Sequence, residues 1–406
     1  MTAGLQTSGH RVVVVGSGWH FTSGISHYTY RLTSALAEEY TVGALLMRRL
    51  VPKRLYPGRN HAGMEPGISY APQLDVYDGV DWFWGPSLTR ALRYLDCQCP
   101  TVLILQWWTG AVLHTYLKLS KHAIRNGAQI ILEWHEGQDV GEAALPGARR
   151  YVRSLMPRLL SRIDAHVVHS QFDQRAIVSS YSLGDAPVRV IPHGPYEHLV
   201  RAARSVADRA TTGPMHLLYL GVVRPFKGVE DLVAAFSALD RELACKFRLT
   251  VVGETWEGWT APNRAIADSP HADLITRVDR YVTDAELAAY FARADAVVLP
   301  YHRSSSSGPL HIAMSAGLPV VVTAVGGLAE AVQGYPGALV IPPQDPEALK
   351  AALRKLLSRR GHRYADLHSW QRTVDGYRAI FDLLAQARQV ERDARSSAAT
   401  LSRPPG

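Results

Sequence analysis

The sequence predicts an α/β protein made of two doubly wound parallel sheets. Three observations carry that expectation. Short β-branched runs alternate with longer amphipathic stretches, the rhythm of parallel strands covered by helices on both faces. That rhythm breaks near Pro192–Gly213 and then restarts, so the pattern occurs twice. The chain has 406 residues, enough for two domains of ~100–200 residues each.

The elements follow in order. Val12–Val15 is an apolar, β-branched run closed by Gly16 and Gly18, which predicts a buried parallel strand. A helix is expected over Ser26–Glu38. Val102–Leu105, Gln129–Leu132, Ala165–His169 and Val188–Ile191 are further strands. Pro192, Gly194 and Pro195 end the last of them, and a polar, Ala/Arg-rich stretch running to Gly213 and Pro214 reads as a linker. In the second half Leu217–Leu220, Leu249–Val252, Ala296–Leu299, Pro319–Thr323 and Ala338–Ile341 are strands. Helices are expected at Val229–Leu239, Asp284–Ala294 and Pro346–Arg359. Ser369 is a good N-cap for a helix Trp370–Arg388. The Ser-, Ala-, Arg- and Pro-rich end predicts disorder. The expected bounds are a first domain 1–195, a linker 196–214, a second domain 215–368, a final helix 369–390 and a tail 391–406. Open α/β sheets bind ligands beyond the carboxyl ends of their strands, so two sheets predict a site in the cleft between them.

Composition narrows the function classes. Hydrophobic residues are 47% and charged residues 20%, which excludes a disordered chain and a small disulfide-stapled fold. No run reaches the ~18 apolar residues of a membrane span. The first residues lack the charged and apolar regions of a signal peptide. Cys97, Cys99 and Cys245 are sparse, and C-x-C is neither a redox pair nor a zinc set, so a reducing cytoplasm is expected. The net charge is +8. Arg48, Arg49, Lys53, Arg54 and Arg59 form one basic cluster, and Arg149, Arg150, Arg153, Arg158 and Arg162 another. Such patches suit anionic lipid or phosphate, or are simply solvated faces. No nucleic-acid motif is present.

Four constellations carry possible chemistry. Gly221–Gly228, GVVRPFKG, follows a strand and opens a helix, which brings Arg224, Lys227 and free backbone N–H groups together for a diphosphate. Ser304–Val322 begins with four serines and Gly308 before a helix, a second place for an anion at a helix N-terminus. Gly16 and Gly18 start a dinucleotide fingerprint, but Phe21 stands where the third glycine belongs; Gly24 then allows close backbone approach of a substrate. EWHEG puts His135 and Glu136 at a strand's carboxyl edge, where they suit proton transfer or a sugar hydroxyl, and Trp107 ends the preceding strand as a face for a sugar ring.

Taken together these motifs resemble a GT-B glycosyltransferase of the glycosyltransferase family 4 type, over residues ~11 to ~390. VIPHG resembles that family's hinge, LGVVRPFKGVEDLVAAF its phosphate-binding loop, and LTVVGE with YVTDAELAAYFARADAVVLPY its nucleotide-domain core. AMSAGLPVVVTAVGGLAEAV resembles the helix and strand after the donor loop, and HSW the start of the helix that returns to the first domain. The resemblance implies two Rossmann-like domains. It implies donor binding by Gly24, Arg224, Lys227, Gly253, Tyr281, Val282, Ser304, Ser306, Ser307, Gly308, Pro309 and Leu310, with Arg280–Val282 meeting the base through its backbone. It places His135 near the transferred sugar, with Glu136 beside it, and the acceptor near Trp107 and Arg54. One departure stands out. The family's paired glutamates fall here on Ser304 and Ile312, so ribose and sugar must be held otherwise, by His311 or the Ser-Gly backbone.

The expected activity is metal-independent hexosyl transfer, with no cofactor, from a nucleotide-diphosphate sugar to a glycan or lipid-linked acceptor. Glu136 or Asp139 would serve as base if the reaction inverts. Partners are that donor, that acceptor and an anionic membrane surface; nucleic acid is excluded. Two rivals stand beside it: a non-catalytic nucleotide-sugar or glycan binder, and a nicotinamide-dependent dehydrogenase.

Overall fold

In the computed structural model, the residues described are 9–18, 24–49, 68–136, 147–204, 213–256 and 258–401. Two parallel sheets form. The first contains β1 (Arg11–Ser17), β2 (Thr41–Arg49), β3 (Asp75–Asp81), β4 (Val102–Trp107), β5 (Gln129–Trp134), β6 (Ala165–Val168) and β7 (Val188–Val190), in the order β3-β2-β1-β4-β5-β6-β7. The second contains β8 (Met215–Leu220), β9 (Phe247–Val252), β10 (Ile275–Val278), β11 (Ala296–Leu299), β12 (Val320–Thr323) and β13 (Ala338–Ile341), in the order β10-β9-β8-β11-β12-β13. Both orders reverse beside the first strand of the sheet, which opens a crevice at the carboxyl ends there.

Alternation along β1 explains the layers of the first domain. Val13 and Val15 face one core with Leu45, Leu103 and Leu132. Val12 and Val14 face the other, with Tyr28, Leu32 and Ile104. That second face is closed by the last helix, Trp370–Leu401, through Trp370, Val374, Tyr377, Ile380, Phe381 and Leu384. Their spacing of three or four residues is a single helical stripe. The end of the chain therefore packs on the domain where the chain begins.

Three expectations need correction. The strands β2, β3 and β10 were not foreseen; the outer ones, DVYDGVD and ITRV, carry polar residues that a two-sided apolar run lacks. The linker holds a helix, Glu197–Arg204, whose Leu199 and Val200 join the second core. The final helix continues through Leu401 rather than ending near residue 390, because the Ala- and Arg-rich composition that suggested disorder also favours helix.

Several ties join the two domains. Tyr196, packed in the second core, donates its Oη–H to the Gly24 carbonyl of the first domain at 2.8 Å. His27 Nε2 lies 3.2 Å from Asp284 Oδ1. Glu330, from the second domain, accepts from the Gln171 and Phe172 amides at 2.7 and 2.9 Å and so caps the helix Gln171–Ser180 of the first.

Candidate functional site

The floor of the cleft is set by backbone that only glycine tolerates. Gly221 and Gly253 have φ of 146° and 142°, and a Cβ on Gly253 would lie 1.9 Å from the Gly221 carbonyl oxygen. The ends of β8 and β9 thus touch backbone to backbone. A short turn, Pro225–Lys227, leads to Gly228 at φ 62°, where a Cβ would meet the Pro300 carbonyl oxygen at 2.0 Å. His302 N–H donates to the Phe226 carbonyl at 2.8 Å, which fastens this loop to the segment after β11.

That packing aims three cations at aromatic faces. Lys227 Nζ sits 3.7 Å from the Tyr301 ring centroid, Arg224 lies 4.3 Å over Trp256, and Arg303 lies 4.5 Å over Phe226. A ring face attracts a cation weakly and does not neutralise it. Desolvation pulls the Lys227 ammonium down to about 8, with nearby Glu136 opposing and Arg224 reinforcing the fall. Both Lys227 and Arg224 are half-buried, so an anion can meet their charge.

The serine loop lies beside it. Ser307 caps the helix Gly308–Ser315, with Pro309 in its first turn and Leu310 buried beneath. Ser304 Oγ donates to the Ser306 carbonyl at 2.7 Å, which tightens the loop. Ser305 Oγ reaches across the cleft to the His135 carbonyl and to Glu136 Oε2, both at 3.3 Å. This contact joins the donor loop of the second domain to the EWHEG edge of the first. Ile312 is 4% exposed and belongs to the second core, so this position serves packing.

The first domain supplies the opposite wall. Gly24 opens the helix Gly24–Leu36, and its carbonyl accepts from Tyr196 Oη at 2.8 Å. At the end of β5 the buried Glu133 accepts from Tyr28 Oη at 2.7 Å and from Gln106 Nε2 at 2.9 Å. His135 Nε2 is 3.4 Å from its Oε2, and His169 Nε2 is 3.9 Å from its Oε1. Burial alone would push Glu133 up; His135, His169 and the Tyr28 hydrogen bond outweigh it and hold the carboxyl at about 2. Histidines continue across the hinge, with His193 stacked on His311 at 4.5 Å. Burial lowers His169 to about 4 and His311 to about 3, and drives His193 down as well. A cavity of about 420 Å³ lies there, lined among others by His169, His193, Ser305, His311, Glu330 and Arg372.

The structure sorts the expected residues. Arg224, Lys227, Gly253, Ser304, Ser306, Ser307, Gly308, Pro309 and Leu310 come together around one loop pair, and His135, Glu136 and Gly24 stand on the facing domain. The space beside Gly253 is filled by protein backbone. Val282 is buried, and the Tyr281 carbonyl accepts from Arg280's own guanidinium at 3.0 Å. Trp107 is a correction: at 1% exposure it packs in the core beside Trp134 and has no face for a sugar, because β4 is buried on both sides. Its neighbour Trp108 is half-buried and packs against the same core, 6.5 Å from the Tyr116 ring. Arg48 is paired with Asp81 at 2.6 Å, which removes part of the first basic cluster. Arg54 and Asp139 lie outside the described residues. Gly16 is crowded by Gln106 and Thr29 side chains, so its missing side chain serves packing there.

Sequence reasoning missed Ser305, Glu133, His169, His193 and Trp256. A signal existed for Glu133: a carboxylate two residues before His135 on a strand shares its face. Among the described residues, Glu133, His135 and His169 form the group whose ligand atoms lie within 4.8 Å of one another. Both carboxylate oxygens already accept hydrogen bonds, and the two imidazoles stand at ion-pair distance from them with their Nε2 atoms making no hydrogen bond.

Comparison with known proteins fits this geometry. Residues 214–359 match the family model described as Glycosyl transferases group 1. The chain is 30% identical over 285 residues to glycogen synthase of Mycobacterium tuberculosis, covering 69% of this chain and 62% of that one. It is 27% identical over 314 residues to D-inositol 3-phosphate glycosyltransferase of Geodermatophilus obscurus, covering 73% and 66%. The chain thus spans somewhat less than two thirds of these relatives' length. Among solved structures, the Anabaena protein HepE in complex with UDP and glucose superposes with a TM-score of 0.59 at 12% identity, covering 96% of this chain and all of that one. The second domain belongs to the group 1 glycosyl transferases, and the chain as a whole has the two-domain GT-B fold.

Proposed function

We propose that this chain transfers a hexosyl group from a nucleotide-diphosphate sugar to a glycan or lipid-linked acceptor, without a metal on the diphosphate. The observation that carries the reading is the half-buried cation pair, Arg224 on Trp256 and Lys227 on Tyr301, beside the capped N-terminus of the helix Gly308–Ser315. As the sugar–phosphate bond breaks, charge grows on the departing diphosphate. Two fixed cations and oriented amides stabilise that charge without reorganising. Ser305, bridging to His135 and Glu136, brings the facing domain against the reacting sugar, and closure of the cleft limits hydrolysis. The solved complex with UDP and glucose supports a uridine donor as the first to try.

The test is the double change Arg224→Ala and Lys227→Ala. Binding of UDP should be lost while the protein stays folded; unchanged binding refutes the reading. A thermal-shift panel of UDP, GDP, ADP and their sugars identifies the base, since a ligand that binds the folded state raises the melting point.

The same reading has the enzyme act in the cytoplasm against an anionic membrane surface. Arg149, Arg150, Arg153 and Arg158 support this, being exposed on the helix Ala148–Leu160 while Val152, Met156, Leu159 and Leu160 face inward. No described helix is long and apolar enough to cross a membrane. Equal co-sedimentation with anionic and neutral liposomes at low salt would remove this part.

A second reading, a non-catalytic nucleotide-sugar or glycan binder, is favoured by the buried Ile312 at the second glutamate position. Turnover of labelled UDP-glucose with any acceptor extract would eliminate it.

A further inference from the structure

We infer that Glu133 is a positioning residue that fixes the ring of His135 for the transfer step; the inference rests on the glycosyltransferase reading above. Glu133 is fully buried, and a buried carboxylate is costly unless its oxygens are satisfied. Its two oxygens are fastened from two different elements. Oε1 accepts from Tyr28 on the helix Gly24–Leu36, and Oε2 accepts from Gln106 on β4. Gln106 is fixed in turn, since its Oε1 accepts from Thr29 Oγ1 at 2.5 Å. The carboxylate therefore does not turn to follow a neighbour; the neighbour aligns on it.

That neighbour is His135. Glu133 and His135 share one face at the carboxyl end of β5, and the His135 amide extends the ladder by donating to the Trp107 carbonyl at 2.8 Å. The ring is confined between Tyr28, 4.6 Å away edge-on, and His169 at 4.8 Å. Its Nε2 faces Glu133 Oε2 at 3.4 Å. The carboxylate, at ion-pair distance but without hydrogen-bond alignment, favours a proton on Nε2, which leaves Nδ1 as the ring nitrogen that accepts from a substrate hydroxyl. The His135 carbonyl also accepts from Ser305, so a ring held still is registered to the donor loop. Tyr377 of the last helix completes the surround of Glu133. A purely structural Glu133 would serve only to anchor that helix.

The experiment uses the full chain with UDP-glucose, following UDP release with water as acceptor. Glu133→Gln should leave the UDP dissociation constant and the KM for donor within twofold and lower kcat about 30- to 100-fold, the range of a misplaced acid–base group. The same substitution made on top of His135→Ala should add less than twofold, because a residue acting through His135 has nothing left to position. If Glu133→Gln does not fold, Tyr28→Phe frees the carboxylate while keeping its charge, and its several-fold loss in kcat should likewise vanish in the His135→Ala background. Wild-type turnover in Glu133→Gln, or an equal loss with and without His135, overturns the inference. Failure of the wild-type chain to bind any of UDP, GDP and ADP overturns the glycosyltransferase reading and this inference with it; if another of the three binds, its sugar replaces UDP-glucose in the same comparison.

Discussion

Replacing Lys227 by Met is the sharpest probe of the anion pocket. Methionine keeps most of the side chain's volume and removes its charge. The ammonium lies 3.7 Å from the Tyr301 centroid, and desolvation brings it from 10.5 to about 8. That gap corresponds to about 3 kcal/mol by which the charged form is disfavoured in the empty site. A diphosphate relieves it by supplying the missing counter-charge. Losing one charge-assisted contact of about 1.5–3 kcal/mol should weaken UDP binding roughly 10- to 150-fold, while the unliganded variant should be no less stable than the parent. The pH dependence follows with its sign. Below about 8 Lys227 is charged in the free protein, and affinity is level with respect to this group. Above about 8 a proton must be taken up on binding, so the dissociation constant rises up to about tenfold per pH unit. Arg224 stays charged throughout and adds no slope. Isothermal titration of UDP from about pH 6.5 to about pH 9.5, on either side of the lysine value, reads all of this on both proteins. Parallel curves for parent and variant, or affinities within twofold, would refute the argument.

Other perturbations test the surrounding frame. Gly326→Ala places a Cβ 1.6 Å from the Ser304 carbonyl oxygen at φ 54°, so it should cost well over the ~1–2 kcal/mol of left-handed strain alone and weaken UDP binding by shifting the serine loop. Gly258→Ala, at φ 66° with open space around it, should cost the strain only, and urea unfolding compares the two. Glu330→Ala removes the cap on the helix Gln171–Ser180 and should lower stability by about 1 kcal/mol in urea unfolding. Glu133 titrates at about 2 in the folded chain against an ordinary 4.5, so it stabilises fully above 4.5 and less as pH falls toward 2. Glu133→Gln should therefore flatten the melting temperature against pH in that interval, and an unchanged slope would contradict the assigned environment.

Central strands were legible because they are buried on both faces. Val12–Val15, Ala296–Leu299 and Pro319–Thr323 stand within a residue or two of where the apolar runs place them. The edge strands β3 and β10 were not, since their composition turns polar, whereas the edge strands β7 and β13 kept apolar β-branched runs and were found; β2 was missed although it is central and buried. The phosphate-facing half of the site was legible for a related reason. Arg224, Lys227 and Ser304–Leu310 lie in two short contiguous loops, and a loop between strand and helix has a defined geometry. The other half depends on residues distant in sequence. Ser305 meets His135 across 170 positions, and Glu133 meets Tyr28 across 105. No local pattern encodes such meetings. Trp107 shows the converse error, in which residue chemistry suggests a ligand platform and burial withdraws it.

The packing of Trp370–Leu401 on the first sheet has a consequence for how the chain is made. A ribosome delivers Val12, Val14 and Ile104 long before Tyr377, Ile380 and Phe381 that shield them. The amino-terminal half must wait, one apolar flank bare, until Trp370–Leu401 has been made, whereas the carboxy-terminal sheet completes itself from neighbouring segments. Truncation upstream of Trp370 would leave that flank permanently uncovered and prone to self-association, and the same helix added back as a separate peptide is the natural remedy.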